Sequence, residues 1–188
     1  MAGLIERSDS FRTSRSQGPA AGAPLGVTGA QLRRCMGEFA TGVTVVTTLD
    51  SGGRPVGVTA NAVTSLSLDP PLITVFFANT SRTLASVLAH GEFAVNILAA
   101  GQGEVSKAFA VSGSAAAWGT CDLRPDSDGL PLIAGCLSWL KCSVSAVLPG
   151  GDHKIIVGLV GRAEYSGAQE PPLIFARGSY RTYSGDNG

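Results

Sequence analysis

Three short clusters in this chain hold the residue types best suited to chemistry. The first is Thr59-Ala60-Asn61 followed by Val63-Thr64-Ser65, inside the stretch Val56–Phe77, which reads VGVTANAVTSLSLDPPLITVFF. No charged residue falls between Val56 and Leu68. Small residues and hydroxyls of this kind let backbone amides and short side chains approach a flat polar ligand closely. The same composition describes a Thr/Ser-rich strand pair whose hydroxyls only satisfy neighbouring backbone, and residue types alone do not separate the two. The second cluster is Asn79-Thr80-Ser81-Arg82-Thr83. Ser81 is a good helix N-cap, and Leu84, Val87 and Leu88 give the following helix one apolar face. The N–H groups and positive dipole end at such a helix start, with Arg82 beside them, suit a phosphate. An ordinary capped helix with a solvated arginine is the competing reading. The third cluster is Asp152-His153, in the sharp turn Pro149–His153. There the imidazole is either an exposed loop group, half of a local bond to Asp152, or a ligand contact. His90 falls at a helix C-terminus, where histidine often caps carbonyls.

Around these clusters the pattern is mainly strand. Val43–Thr48 is almost wholly β-branched, and Asp50-Ser51-Gly52-Gly53 is a turn, so a hairpin with Pro55–Ala60 is expected. Strands are also expected over Val63–Leu68, Leu72–Phe77, Gly91–Leu98, most of Leu132–Val147, and Ile155–Tyr165. In the last of these, Gly158 and Gly161 allow a bend or a close approach. Arg177-Gly178-Ser179-Tyr180 reads as a final edge strand. Thr28 to Gln31 has capping-box spacing, and Leu32, Cys35, Met36 and Phe39 form the buried stripe of a helix that Gly42 ends. A second short helix is expected around Val105, Ala108 and Phe109. Residues 112–130 read as loop, with Trp118 as an anchor. Strands at short spacing with few, short helices argue for a closed or nearly closed antiparallel barrel.

The chain has 188 residues, enough for one domain, 28–188, behind a Ser/Arg/Gly/Ala/Pro tail over 1–27. The tail's Arg7, Arg12 and Arg15 faintly resemble a transit peptide, but a flexible extension is the simpler reading. Charged residues make up only 15% against a typical quarter or so, which suggests surface covered by a second copy. A net charge of zero calls for neither nucleic acid nor anionic membrane as a partner. No apolar run is long enough to span a bilayer, and MAGLIERSDSF has no apolar secretory core. Cys35, Cys121, Cys136 and Cys142 have no CxxC spacing, and His90 and His153 are the two histidines. That argues against a metal site and for reduced cysteines in the cytoplasm.

Taken in order, FATGVTVVTT (39–48), GVTANAVTSLSLDPPL (57–72), NTSRTL (79–84), FAVNIL (93–98), GDH (151–153) and ARGSY (176–180) resemble the short-chain flavin reductases that serve two-component monooxygenases. The resemblance covers about Gln31 to Tyr183. It implies a split β-barrel of Greek-key topology, a homodimer, FMN or FAD as cofactor, and NADH or NADPH as reductant. It implies that reduced flavin passes to a separate monooxygenase. By motif, Thr59, Asn61, Val63, Thr64 and Ser65 would line the isoalloxazine ring. Ser81, Arg82 and Thr83 would hold the flavin phosphate. Asp152 and His153 would meet the nicotinamide, with His153 the residue nearest the chemistry through packing or bonding rather than proton transfer. Arg177 and Tyr180 would lie near the cofactor, from the same or the partner subunit. Two rivals share the barrel: a flavin or haem carrier without turnover, and an oxidase of the pyridoxamine-phosphate type. The second would need a more basic pocket than Arg82 alone provides before Arg177. The choices between FMN and FAD, and between NADH and NADPH, stay open.

Overall fold

The computed structural model describes residues 26–111, 115–125, 129–167 and 169–181. Nearly all of the expected tail therefore lies outside the described residues. The expected hairpin forms as β2 (Thr44–Leu49) and β3 (Pro55–Ala60), paired antiparallel from Thr44↔Ala60 to Leu49↔Pro55. Asp50 fixes its turn, its carboxylate accepting from the Gly52 and Arg54 N–H groups. A second hairpin joins β4 (Val63–Leu68) to β5 (Pro71–Ala78). Helix α2 (Arg82–His90) then leads to β6 (Glu92–Ile97). The long strands β9 (Ser138–Gly150) and β10 (His153–Tyr165) complete a seven-stranded sheet ordered β3-β2-β6-β9-β10-β5-β4. Every pairing in it is antiparallel. The two edge strands, β3 and β4, are consecutive in the chain and joined only by Asn61 and Ala62. The barrel is thus split rather than closed, and the opening lies between those strands.

Alternation along β2 explains how the sheet is covered. Val46 packs inward with Val75, Phe77, Phe93, Val95 and Ile156. Val43 and Val45 face the other way, against Leu98, Phe109 and Ile133. That outer layer includes helix α3 (Gly103–Ala110). Buried on both faces, β2 reads as a continuous β-branched run rather than an alternating one. Its threonine hydroxyls are satisfied by carbonyls: Thr44 donates to Ala60, Thr47 to Pro131 and Thr48 to Glu92. Fully buried Asn96 fastens three segments, donating to the Val45 carbonyl and the Thr47 hydroxyl and accepting from the Ile133 N–H.

Several expectations need correction. Helix α1 spans Gly29–Met36 with the expected Thr28–Gln31 capping box, but it ends at Gly37, not Gly42. The Arg177 N–H bonds the Gly37 carbonyl at 2.7 Å, and Thr41–Gly42 is a short strand, β1, paired with β11 (Ile174–Ala176). The apolar stripe of α1 is not buried in one chain: Leu32 and Met36 are each 57% exposed and Phe39 68%. The expected strand over Leu132–Val147 is interrupted after β8 (Pro131–Ile133), where Gly135 turns at φ 73°. The region read as loop holds a 3-10 helix, Ala115–Thr120, and β7 (Leu123–Pro125), which pairs with β8. The final hairpin is β11 with β12 (Ser179–Arg181).

Gly158 passes close to another group, as expected of a mid-strand glycine. A Cβ there would sit 2.7 Å from the Phe93 ring and 3.1 Å from the Cys142 side chain. Both neighbours are buried, so neither can move away cheaply. Gly158→Ala is expected to cost about 1–3 kcal/mol by overpacking. Gly161→Ala meets open space. Thermal or urea unfolding of the two variants checks the contrast; equal losses would show that the Phe93 contact is not the cause.

Candidate functional site

The last residues of β5 join the motif clusters that sequence had left separate. The Phe76 N–H donates to the Ala62 carbonyl at 3.1 Å, fixing the Asn61–Ala62 link across the split. Two residues on, Ala78 pairs with His153. The Asn79 N–H then donates to the Asp152 carbonyl at 2.9 Å, and the Asn79 side-chain amide to the Gly151 carbonyl at 3.1 Å. Asn79 therefore clamps the β9–β10 turn beside the start of α2. Sequence reasoning missed this role, although Asn79 lies in a quoted motif, because its partners are 72 residues away.

Asn61, Val63, Thr64 and Ser65 line an open groove of about 960 Å3 along the split. Met36, Phe39 and Phe76 also line it, and no charged residue does. The side chains of Asn61 and Ser65 have no hydrogen-bond partner among the described residues, unlike the threonines of β2. Thr41 also borders the groove, and its buried hydroxyl has no partner among the described residues. Leaving a buried hydroxyl unpaired costs about 1–3 kcal/mol. A flat ring rich in carbonyl and nitrogen groups fits this neutral, polar-floored and apolar-rimmed surface.

Thr59 stands apart from that set. It lies on β3, and its hydroxyl donates to the Ser106 carbonyl on α3 at 2.6 Å. Tyr180 reaches the same residue, its hydroxyl donating to Ser106 Oγ at 2.8 Å. Arg177, at φ 53°, ion-pairs with Glu38 at 2.7 Å. In one chain, then, Thr59, Arg177 and Tyr180 bond protein groups and do not line the groove.

Ser81 caps α2 as expected, its hydroxyl accepting from the Leu84 N–H at 3.3 Å. Arg82 is exposed and makes no ion pair or hydrogen bond among the described residues. Thr83 is buried and, with Arg82, lines a second cavity, separate from the groove. An unpartnered guanidinium at a helix N-terminus fits a phosphate.

His153 is half-exposed, with Nδ1 2.7 Å from Asp152 Oδ1. The hydrogen bond from His153 holds the exposed Asp152 carboxyl below its ordinary range. Its contribution to the turn is present above the ordinary carboxylate pKa and is lost as pH falls through the lowered value. Burial pushes the Cys136 and Cys142 thiols up to about 12, which leaves them poor nucleophiles. Among the described residues no group of His, Cys, Asp and Glu is placed to hold a metal ion, and no helix is long and apolar enough to cross a membrane.

Known proteins share this sequence and fold. A probable flavin reductase of Rhizobium meliloti (strain 1021) is 45% identical over 153 residues, covering 80% of this chain but 48% of its own length. This chain thus spans about half of that relative. The reductase subunit HsaB of a flavin-dependent monooxygenase from Mycobacterium tuberculosis is 38% identical over 149 residues, covering 79% of both chains. The solved Streptomyces globisporus NADH:FAD oxidoreductase SgcE6, in complex with NAD and FAD fragments, superposes with a TM-score of 0.78 at 37% identity. That match covers 85% of this chain and 94% of the other. Residues 36–184 match the family described as flavin reductase like domain, and the chain belongs to that family.

Proposed function

We propose that this chain is an NAD(P)H:flavin oxidoreductase that passes reduced flavin to a separate monooxygenase. The observation that carries the reading is the convergence on Phe76–Asn79. At those residues, the end of β5 and the position after it, the Asn61–Ala62 link, the Asp152–His153 turn and the start of α2 are hydrogen-bonded or strand-paired together. The family membership and the names of the relatives above support it.

A bound flavin accepts hydride directly from a reduced nicotinamide, so no side chain need carry the transferred atom. The protein's task is orientation and exclusion of water. Val63 and Phe76 supply apolar contact for the ring, while Asn61, Thr64 and Ser65 offer hydrogen bonds to its polar edge. Ser81, Arg82 and Thr83 hold the phosphate end. His153, oriented by Asp152, packs on or bonds the nicotinamide. Thr59 and Tyr180 position the site at one remove, by locking α3 to β3 and β12 through Ser106. Arg177 does the same for the end of α1 through Glu38. The free cysteines fit a reducing compartment, the cytoplasm.

The working form is a homodimer. The exposed stripe of α1 is continuous with the groove through Met36 and Phe39, and Leu68 of β4 is 89% exposed at the groove's other side. A second copy laid over these residues would cover the apolar rim and wall the groove off from water. Light scattering on the eluting protein is expected to give twice the chain mass, with Phe39→Glu shifting it toward monomer. A monomeric wild type would remove the dimer.

Steady-state oxidation of NADH and NADPH with FMN, FAD and riboflavin tests the activity. Turnover dependent on added flavin is expected with at least one pair. Bound flavin without turnover would make the protein a carrier instead.

Two variants separate the halves of the site. Arg82→Ala removes a charge-assisted phosphate contact of about 1.5–3 kcal/mol, so the flavin Kd is expected to rise about 10- to 150-fold. His153→Ala is expected to raise the nicotinamide KM or slow hydride transfer and leave the flavin Kd alone. Flavin titrations and stopped-flow reduction read both; a flavin-only effect of His153→Ala would take that residue off the nicotinamide side.

A further inference from the structure

Among the described residues one buried side-chain polar atom has no hydrogen-bond partner, the Thr41 hydroxyl. The buried threonines of β2 are all paired, each donating to a carbonyl. An orphan of this kind in a folded protein calls for a partner or a purpose. Thr41 borders the groove along the split. We propose that Thr41 is a further cofactor-binding residue, whose hydroxyl turns into the groove and hydrogen-bonds the polar edge of the flavin ring. The inference rests on the flavin reading above and adds a residue to its ring end.

The backbone around Thr41 leaves its side chain as the part that can move. Thr41 pairs with Phe175 and Gly42 with Ile174, over the whole length of β1. Before this strand the Arg177 N–H bonds the Gly37 carbonyl at 2.7 Å, and after it the Val43 N–H bonds the Leu173 carbonyl at 3.1 Å. Phe175 packs edge-on against Tyr180, with ring centroids 5.6 Å apart, and the Tyr180 hydroxyl is bonded to Ser106. The main chain at Thr41 is thus pinned on both sides and cannot slide to bring the hydroxyl to a carbonyl. Rotation about χ1 remains. Its staggered wells place the hydroxyl, the methyl and the hydrogen in turn at each of three positions on Cβ. One step carries the hydroxyl to the groove side and leaves an apolar group in the closed position, where its burial carries no penalty. A hydroxyl both donates and accepts, so it suits either a carbonyl or an N–H of the ring edge. No charged residue lines the groove, so neutral hydrogen bonds carry its polar recognition.

Stability and binding therefore pull in opposite directions at this position. Thr41→Val keeps the β-branched shape and strand preference and removes the hydroxyl. The test measures Tm of the flavin-free protein and Kd for FMN and riboflavin in wild type, Thr41→Val and Thr41→Ser. In Thr41→Val the Tm is expected to hold or to rise by up to about 4 °C, because an unpaired buried hydroxyl is gone. The Kd is expected to rise about 2- to 12-fold, the loss of one neutral hydrogen bond. Equal rises for FMN and riboflavin place the hydroxyl at the ring, since riboflavin has no phosphate; Arg82→Ala by contrast loses affinity for FMN only. Thr41→Ser keeps the hydroxyl and is expected to bind both flavins as the wild type does. An unchanged Kd in Thr41→Val, a loss confined to FMN, or Thr41→Ser binding as weakly as Thr41→Val overturns the assignment. A lowered Tm in Thr41→Val overturns it too, by showing that the hydroxyl holds the fold. Each of these leaves the flavin reading standing, whereas a wild type that binds neither flavin sinks that reading and this extension with it.

Discussion

The sheet's two edge strands are neighbours in sequence but not in hydrogen bonding, and the rest of the architecture follows from that. β3 and β4 end the order β3-β2-β6-β9-β10-β5-β4, yet only Asn61 and Ala62 separate them in the chain. So short a link forces the sheet to curl until its edges face each other. A barrel closed by pairing β3 to β4 would have no opening. Held apart, the edges leave unpaired backbone groups along a groove, normally a liability for aggregation. Here the exposed face of β4 is short, uncharged and rich in hydroxyls from Thr64 to Ser67, with Leu66 and Leu68 the apolar exceptions.

The same geometry sorts the hydroxyls that composition could not. Thr44, Thr47, Thr48 and Thr59 each have a carbonyl at 2.6 Å, supplied by the neighbouring strands β3 and β6 for Thr44 and Thr48 and by the covering elements β8 and α3 for Thr47 and Thr59. Asn61 and Ser65 have no such neighbour because the split removes the strand that would provide one. The backbone-satisfying reading therefore holds for β2 and β3, while Asn61 and Ser65 keep side chains without a partner among the described residues. The boundary falls at Ala60, where β3 ends.

Much of the frame was legible in sequence because its determinants are local. The Asp50–Gly53 turn, the Ser81 cap and the glycine at 151 with φ 71° all act on residues within four positions of themselves. What sequence hid are contacts between distant residues: Thr59 to Ser106 across 47 positions, Tyr180 to Ser106 across 74, and Arg177 to Glu38 across 139. Three candidate site residues therefore bond partners that no motif announces, and none of the three lines the groove. The α1 stripe teaches a different lesson. Spacing of Leu32, Cys35, Met36 and Phe39 reports a face that needs covering and does not say what covers it. Among the described residues of a single chain nothing does.

Charge divides the two cavities in a way that bears on ligand orientation. The groove is lined without a single ionisable side chain, while the cavity at α2 gathers Arg82, Arg54 and Asp50. A ligand with a neutral ring at one end and phosphate at the other has one low-energy orientation across such a pair. Reversing it would bury a phosphate against Val63, Leu72 and Phe76 with no cation near, a cost far above any stacking gain. Phe76 and Asn79 are each bonded to a different neighbouring segment, which ties the groove-lining end of β5 to the chain entering α2. Orientation is thus set by where charge is withheld as much as by where it is placed, and a chain with only 15% charged residues has the means to withhold it.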